Sequence, residues 1–149
     1  KANVSKDWKL QIIGDGNERV NLEHFVEKNQ LQERVIFYGT KTSDEILELL
    51  RKSKIFGFTS LKEALPTVLV EAMFCSNAII SYNCNYGPSD IVKNNSGFLI
   101  DVNNKEDFIQ KLEMLANSDE KLEKMMENAS KEAQNWKQNE ILKKWQEII

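Results

Sequence analysis

Apolar residues recur along this chain with two different periods. Five short runs, at 8–13, 35–38, 55–59, 78–82 and 97–102, are rich in branched and aromatic side chains and read as β-strands. The stretches between them are amphipathic and predict helices over 20–29, over 43–52 with Ser43 at the N-cap, and over 66–75 with Pro66 in the first helical position. The order βαβαβαβ predicts an α/β fold, a Rossmann-like open parallel sheet with flanking helices. Such a sheet ordinarily opens on a strand and its crossover helix, whereas here a few polar residues lead straight into 8–13. The pattern therefore predicts that the first strand–helix unit of the fold is lacking.

Beyond residue 102 only the helical period remains. Phe108, Leu112 and Leu115 share one face, and Leu122, Met125, Met126 and Ala129 share another. Ile141, Trp145 and Ile148 repeat the spacing in a last helix that Asn139 is placed to cap. The methionine pair reads as packing. No repeat or low-complexity tract interrupts the chain, so residues 1–149 read as one domain.

Composition narrows the class. The 149 residues are 41% hydrophobic and 29% charged, the makeup of a globular domain. No apolar run approaches the length of a bilayer span, and the first residues lack the features of a secretory signal. A formal charge of −3 argues against nucleic acid as a partner. Cys75 and Cys84 form no disulfide framework and no metal-ligand spacing, so a cytoplasmic setting is expected.

Candidate chemistry concentrates where the third strand passes through a turn into the third helix, Ser60 to Met73. Open parallel sheets bind ligands beyond the carboxyl ends of their strands, and a helix start there offers unpaired N–H groups and partial positive charge. A diphosphate suits such a place. Glu71 is the one ionisable residue between Pro66 and Cys75, on a helix whose composition predicts burial on most sides. Two readings follow: a carboxylate that grips hydroxyls such as those of a ribose, or one that points to water along a narrow polar stripe. Glu63, before the turn, projects into a cleft or is an ordinary solvated loop glutamate.

The segment Glu63-Ala64-Leu65-Pro66-Thr67-Val68-Leu69-Val70-Glu71-Ala72-Met73 resembles the paired-glutamate motif of the family-4 (group 1) glycosyltransferases of the GT-B fold. Residues 8–16 look like that family's second strand and glycine turn, 34–39 like its third strand, and 86–92 with 95–100 like its later segments. The resemblance covers nearly the whole chain and is to the type that builds bacterial capsule, lipopolysaccharide and glycoprotein glycans. Ala64 stands where glycine is common, Leu65 where phenylalanine is common and Asp90 where glutamate is frequent.

The resemblance implies the donor-binding C-terminal half of a retaining glycosyltransferase that uses a nucleotide-diphosphate sugar, with a UDP-sugar expected. Carried over by position, Glu71 would hold the ribose hydroxyls and Glu63 would face the transferred sugar as the catalytic residue. Ala64, Leu65 and Pro66 would form the turn at the donor, and the backbone of Thr67 and Val68 would meet the diphosphate. Lys41 and Thr42 would read the base, and Gly14 and Gly16 would admit close approach of the ligand. The basic clamp for the diphosphate and the acceptor half, which would receive a glycan or lipid-linked acceptor, are implied to lie outside this chain, so that it would transfer nothing alone. No Asp-x-Asp motif occurs, and neither metal nor cofactor is expected.

Other classes are open at this stage. One is a nucleotide-binding or assembly module without catalysis, and another is a glycoside hydrolase using Glu63 and Glu71 across one cleft. A dehydrogenase is disfavoured because Gly14-Asp15-Gly16-Asn17-Glu18-Arg19 lacks the third glycine of a dinucleotide fingerprint. His24 and Cys84 have no companions that would make either reactive.

Overall fold

The computed structural model describes residues 3–5 and 7–146. Its elements are β1 (Leu10–Ile13), α1 (Arg19–Lys28), β2 (Val35–Gly39), α2 (Ser43–Lys52), β3 (Ile55–Phe58), α3 (Thr67–Phe74), β4 (Ala78–Tyr82), α4 (Pro88–Ile91), β5 (Gly97–Ile100), α5 (Lys105–Ala116), α6 (Asp119–Ala133) and α7 (Gln138–Gln146). The α/β reading holds. Every named strand pair is parallel, as expected where each strand is followed by a helical crossover. The short helix α4 was not among the expected elements.

The ladder, however, comes in two pieces. β1 pairs with β2, and β4 lies between β3 and β5. A doubly wound sheet runs 3-2-1-4-5-6, and the observed β2-β1 and β3-β4-β5 match that order with position 1 unfilled by any described strand. This is the outcome expected of a fold lacking its first strand–helix unit.

β4 is the centre of the packing. Its residues Ala-Ile-Ile-Ser-Tyr are buried throughout, the continuous apolar run of a strand covered on both faces. Ile79 packs with Leu69, Ala72 and Met73 of α3, while Ala78, Ile80 and Tyr82 pack with Leu115 of α5. The long helix α6 serves both layers, with Leu122 and Met125 in one cluster and Ala129 and Ala133 in the other. Burying each large aliphatic here contributes about 1.5–3 kcal/mol. Trp8 joins the second cluster and donates its indole N–H to the Ala116 carbonyl at 3.3 Å, which anchors the approach to β1.

Helix starts differ from expectation in informative ways. The N-cap of α2 is Thr42, not Ser43, because Thr42 accepts the Glu45 N–H and Glu45 reaches back to the Thr42 N–H at 2.9 Å. Pro66 is the N-cap of α3 and not its first helical residue. Asn139 lies inside α7, which begins at Gln138. Of the last apolar stripe, Ile141 is exposed, and Ile148 and the side chain of Trp145 lie outside the described residues.

The capping box has an acid signature. Lys41, then the Thr42 N–H and hydroxyl, hold the Glu45 carboxyl down at about 2. Ionised Glu45 therefore favours the folded state above pH ~4.5, and this contribution fades as pH falls toward 2. Glu45→Gln is expected to lower the melting temperature at neutral pH, with the gap to the parent closing between pH 4.5 and 2. A gap independent of pH contradicts the capping role.

Candidate functional site

Three connections emerge beyond carboxyl ends of strands: residues 14–18 after β1, 40–42 after β2 and 59–66 after β3. The loop 83–87 after β4 joins them through one close contact. Gly87 adopts φ 98°, and a Cβ there would overlap Pro66 Cδ and lie 3.3 Å from Leu65 Cα and 3.4 Å from the Ala64 carbonyl oxygen. The β4–α4 loop thus rests directly on the turn that starts α3, and only glycine fits both the angle and the gap. Beside it Tyr86 holds φ 68° with its side chain 78% exposed. Left-handed backbone at a bulky residue is uncommon and marks a constrained loop. Gly87 and Tyr86 thus lie beside the candidate site, and neither was picked out as a site residue from the sequence. The signal available was a glycine directly before a proline at a strand-to-helix connection.

The start of α3 is built differently from those of α2, α5 and α6. Those three carry side-chain caps from Thr42, Asn104 and Ser118 and acids in their first turns. At α3 the cap position is proline, which has no side-chain acceptor, and the first turn holds no acid. The Thr67 N–H is bonded to the Leu65 carbonyl and the Leu69 N–H to the Pro66 carbonyl. Between them the Val68 N–H has no acceptor among the described residues. A helix end with one free donor, no cap and no acid favours an anion, by about 0.3–1 kcal/mol per charge at an exposed site.

Glu71 is exposed, on a narrow open stripe of an otherwise largely covered helix, as one of its two readings had it. The buried face of α3 is Leu69, Ala72 and Met73, and the opposite stripe is Thr67, Glu71 and Phe74. Spacings of four and three put these on one face, with Glu71 about 6 Å along the axis from Thr67 and leaning toward the helix start. Burial therefore demands no partner for this carboxylate. Its position on the open stripe leading to the free Val68 N–H is what makes it a candidate for contact with a ligand. Glu63 is half-buried in the loop before the turn, Ala64 and Leu65 are exposed, and Pro66 is buried beneath Gly87.

The other candidates divide. Gly14 has φ 119°, and open space surrounds the Cβ positions of both Gly14 and Gly16. The Gly14 N–H bonds the Gly39 carbonyl at 2.8 Å, which draws the end of β1 to the end of β2. Thr42 is fully used by α2: its N–H meets Glu45 and its carbonyl accepts from Ile46. The side chain of Lys41 is tied to Glu45 at 2.8 Å, so at that loop its backbone is what is left to meet a ligand. His24 is exposed on α1, Cys84 is buried, and burial pushes the Cys75 thiol upward, which disfavours its thiolate.

The sequence matches the family described as "Glycosyl transferases group 1" over residues 1–132. It is 33% identical over 148 residues to the amylovoran biosynthesis glycosyltransferase AmsD of Erwinia amylovora, an alignment that spans 99% of this chain and 41% of that protein. A structure of Staphylococcus aureus TarM in complex with fondaparinux, alpha-GlcNAc-glycerol and UDP superposes with a TM-score of 0.82 at 26% identity, over 93% of this chain and 28% of TarM. The C-terminal domain of a group 1 family glycosyl transferase, LpcC of Francisella tularensis, superposes with a TM-score of 0.77 at 26% identity, over 87% of this chain and 69% of that one.

The Gly87 contact is open to test. Gly87→Ala is expected to destabilise the fold by about 1–3 kcal/mol in urea unfolding, through overlap with Pro66 and the strained angle. Unchanged stability contradicts a direct seating of the β4–α4 loop on the α3 turn.

Proposed function

The chain belongs to the group 1 glycosyl transferases, and on that premise we propose that it is the donor-binding half of a retaining enzyme that uses a UDP-sugar. The observation that carries this reading is the open stripe of α3, from the free Val68 N–H to Glu71, at the carboxyl end of β3. The diphosphate sits at the uncapped helix start, and the ribose hydroxyls donate to the Glu71 carboxylate. Gly14 and Gly16 let the backbone come close to the donor, and Lys41 reads the base through its main chain. Glu63 faces the transferred sugar and orients its hydroxyls.

Transfer begins as the anomeric C–O bond lengthens and its electron pair leaves with the diphosphate. Charge then grows where the α3 start is aimed, so the helix stabilises the transition state more than the ground state. The acceptor hydroxyl attacks from the same face and passes its proton to the departing diphosphate oxygen, so that configuration is retained. No step is assigned to a metal or cofactor.

The chain spans about 40% of the curated relatives it matches, so the acceptor site and transfer itself belong to the intact polypeptide. The acceptor we propose is a bacterial surface glycan or its lipid-linked precursor. A Campylobacter jejuni relative, 28% identical over 148 residues, is named for transfer of N-acetyl-D-galactosamine to an undecaprenol-linked glycan, which supports that class. No described helix is long and apolar enough to cross a membrane. Action at the cytoplasmic side, where nucleotide sugars are available, completes the reading.

Glu71→Gln in the intact enzyme removes a charged acceptor of hydroxyl hydrogen bonds and is expected to weaken UDP binding about 10- to 100-fold by titration calorimetry, with transfer falling in parallel. Undiminished UDP affinity overturns the assignment. Weakened UDP binding with transfer intact points to a nucleotide-binding module whose site is not the donor site.

A further inference from the structure

A polar pocket lies at the end of the sheet opposite to the α3 start. The loop 92–96 enters β5 at its amino end, and β5 runs parallel to β4 as β4 does to β3, so this loop stands a strand's length away from the turn 59–66. Against the last turns of α6 it encloses about 180 Å³, lined by Asn94, Asn128, Lys131, Glu132 and Asn135.

The loop is held in place for this. Asn94 and Asn95 both adopt left-handed backbone, at φ 53° and 59°, which asparagine tolerates better than most residues. Two bonds then pin them to α6. Asn94 donates its side-chain amide to Glu132 Oε2 at 2.6 Å, and the Asn95 carbonyl accepts from the Asn128 side chain at 3.3 Å.

Glu132 is the anomaly of the group. It is a carboxylate only 6% exposed, in the last turn of a helix, where the partial negative charge of the helix end disfavours an acid. No cation among the described residues offsets it, because the neighbouring Lys131 turns its ammonium to Glu127. Holding a carboxylate out of solvent in this way is unfavourable, and a glutamine would tie Asn94 equally well. Its second oxygen, Oε1, meets no donor among the described residues, yet it is not sealed from solvent and is left as an acceptor in the pocket wall. The rest of the lining is mixed. Asn94 and Asn128 use their amide nitrogens on the fold and keep their oxygens free, while the side chain of Asn135 has no partner among the described residues and offers N–H donors.

We propose that this pocket binds one neutral sugar ring of a glycan through a pair of adjacent hydroxyls. An anion would face Glu132 and the negative end of α6, and a cation would face Lys131 and leave the Asn135 donors idle. A hydroxyl both donates and accepts, so two on neighbouring carbons engage the Glu132 carboxylate on one side and the Asn135 amide on the other, the first as a charge-assisted bond. Size sets the upper limit. The volume is well below the roughly 300–1,000 Å³ of pockets that enclose drug-sized ligands, so it admits a single ring and excludes a nucleotide. The site stands whatever ligand the α3 start takes.

The test uses the intact protein in excess UDP, with methyl α-glucopyranoside, methyl α-galactopyranoside and methyl N-acetyl-α-glucosaminide as probes. The readout is the side-chain amide NMR signals of Asn94 and Asn128. At least one glycoside is expected to move them saturably with a Kd of about 1–10 mM, the strength of a few hydrogen bonds to a small ligand. Asn135→Ala removes an exposed side chain that the fold does not use, so the melting temperature is expected to stay that of the parent while sugar binding weakens about 10-fold. Glu132→Gln keeps an acceptor for Asn94 and is expected to weaken sugar binding by at least as much. Signals unmoved by about 100 mM of every glycoside, or binding equal to the parent in both variants, overturn the site. Signals moved by calcium or ammonium ions and by none of the glycosides overturn its ligand.

Discussion

An uncapped helix start, held open at the carboxyl end of a strand, is the constraint on which the account rests. α3 begins on Pro66, which has no side-chain acceptor to offer, and its first turn carries no acid, so the partial positive charge of the helix is unopposed. Three other helices make the opposite choice, although α1 also starts without a side-chain cap or a first-turn acid. α2, α5 and α6 each close their starts with a side-chain cap and neutralise them with acids. The difference leaves the Val68 N–H as a donor without an acceptor among the described residues, at the end of the helix where the stripe of Thr67 and Glu71 begins.

What keeps that start in place is packing on both sides of it. Below, Leu69, Ala72 and Met73 sit without solvent exposure against Ile79, so the helix cannot rotate without opening the core. Above, the Gly87 backbone lies on Pro66 and fixes the turn from outside. A helix start held rigid from both sides needs no reorganisation to meet an anion.

Much of this was legible in the sequence because it is local. Strand and helix identities follow from apolar period, and the paired glutamates flanking Pro66 single out the connection between β3 and α3. Three things were less legible. Thr42 against Ser43 as the cap of α2 depends on Glu45 reaching back three residues, a choice that neighbouring hydroxyl residues leave open. The exposure of Glu71 depends on which face of a nearly all-apolar helix meets the core, and a helix with little amphipathic contrast does not announce it. The seating of Gly87 on Pro66 joins residues from two different loops and has no local signature. The two-part ladder sits between these cases. The order of elements was legible, whereas the unfilled position between β1 and β3, and their half-exposure beside a fully buried β4, are properties of pairing among the described residues.

The most direct test of the central claim reads the helix start itself. In the intact enzyme, the backbone amide resonance of Val68 followed by NMR during UDP titration is expected to move downfield and saturate with the same midpoint as binding, as its free N–H acquires a phosphate acceptor. A Val68 resonance that stays put while UDP binds and shifts signals elsewhere would contradict the claim that α3 receives the diphosphate.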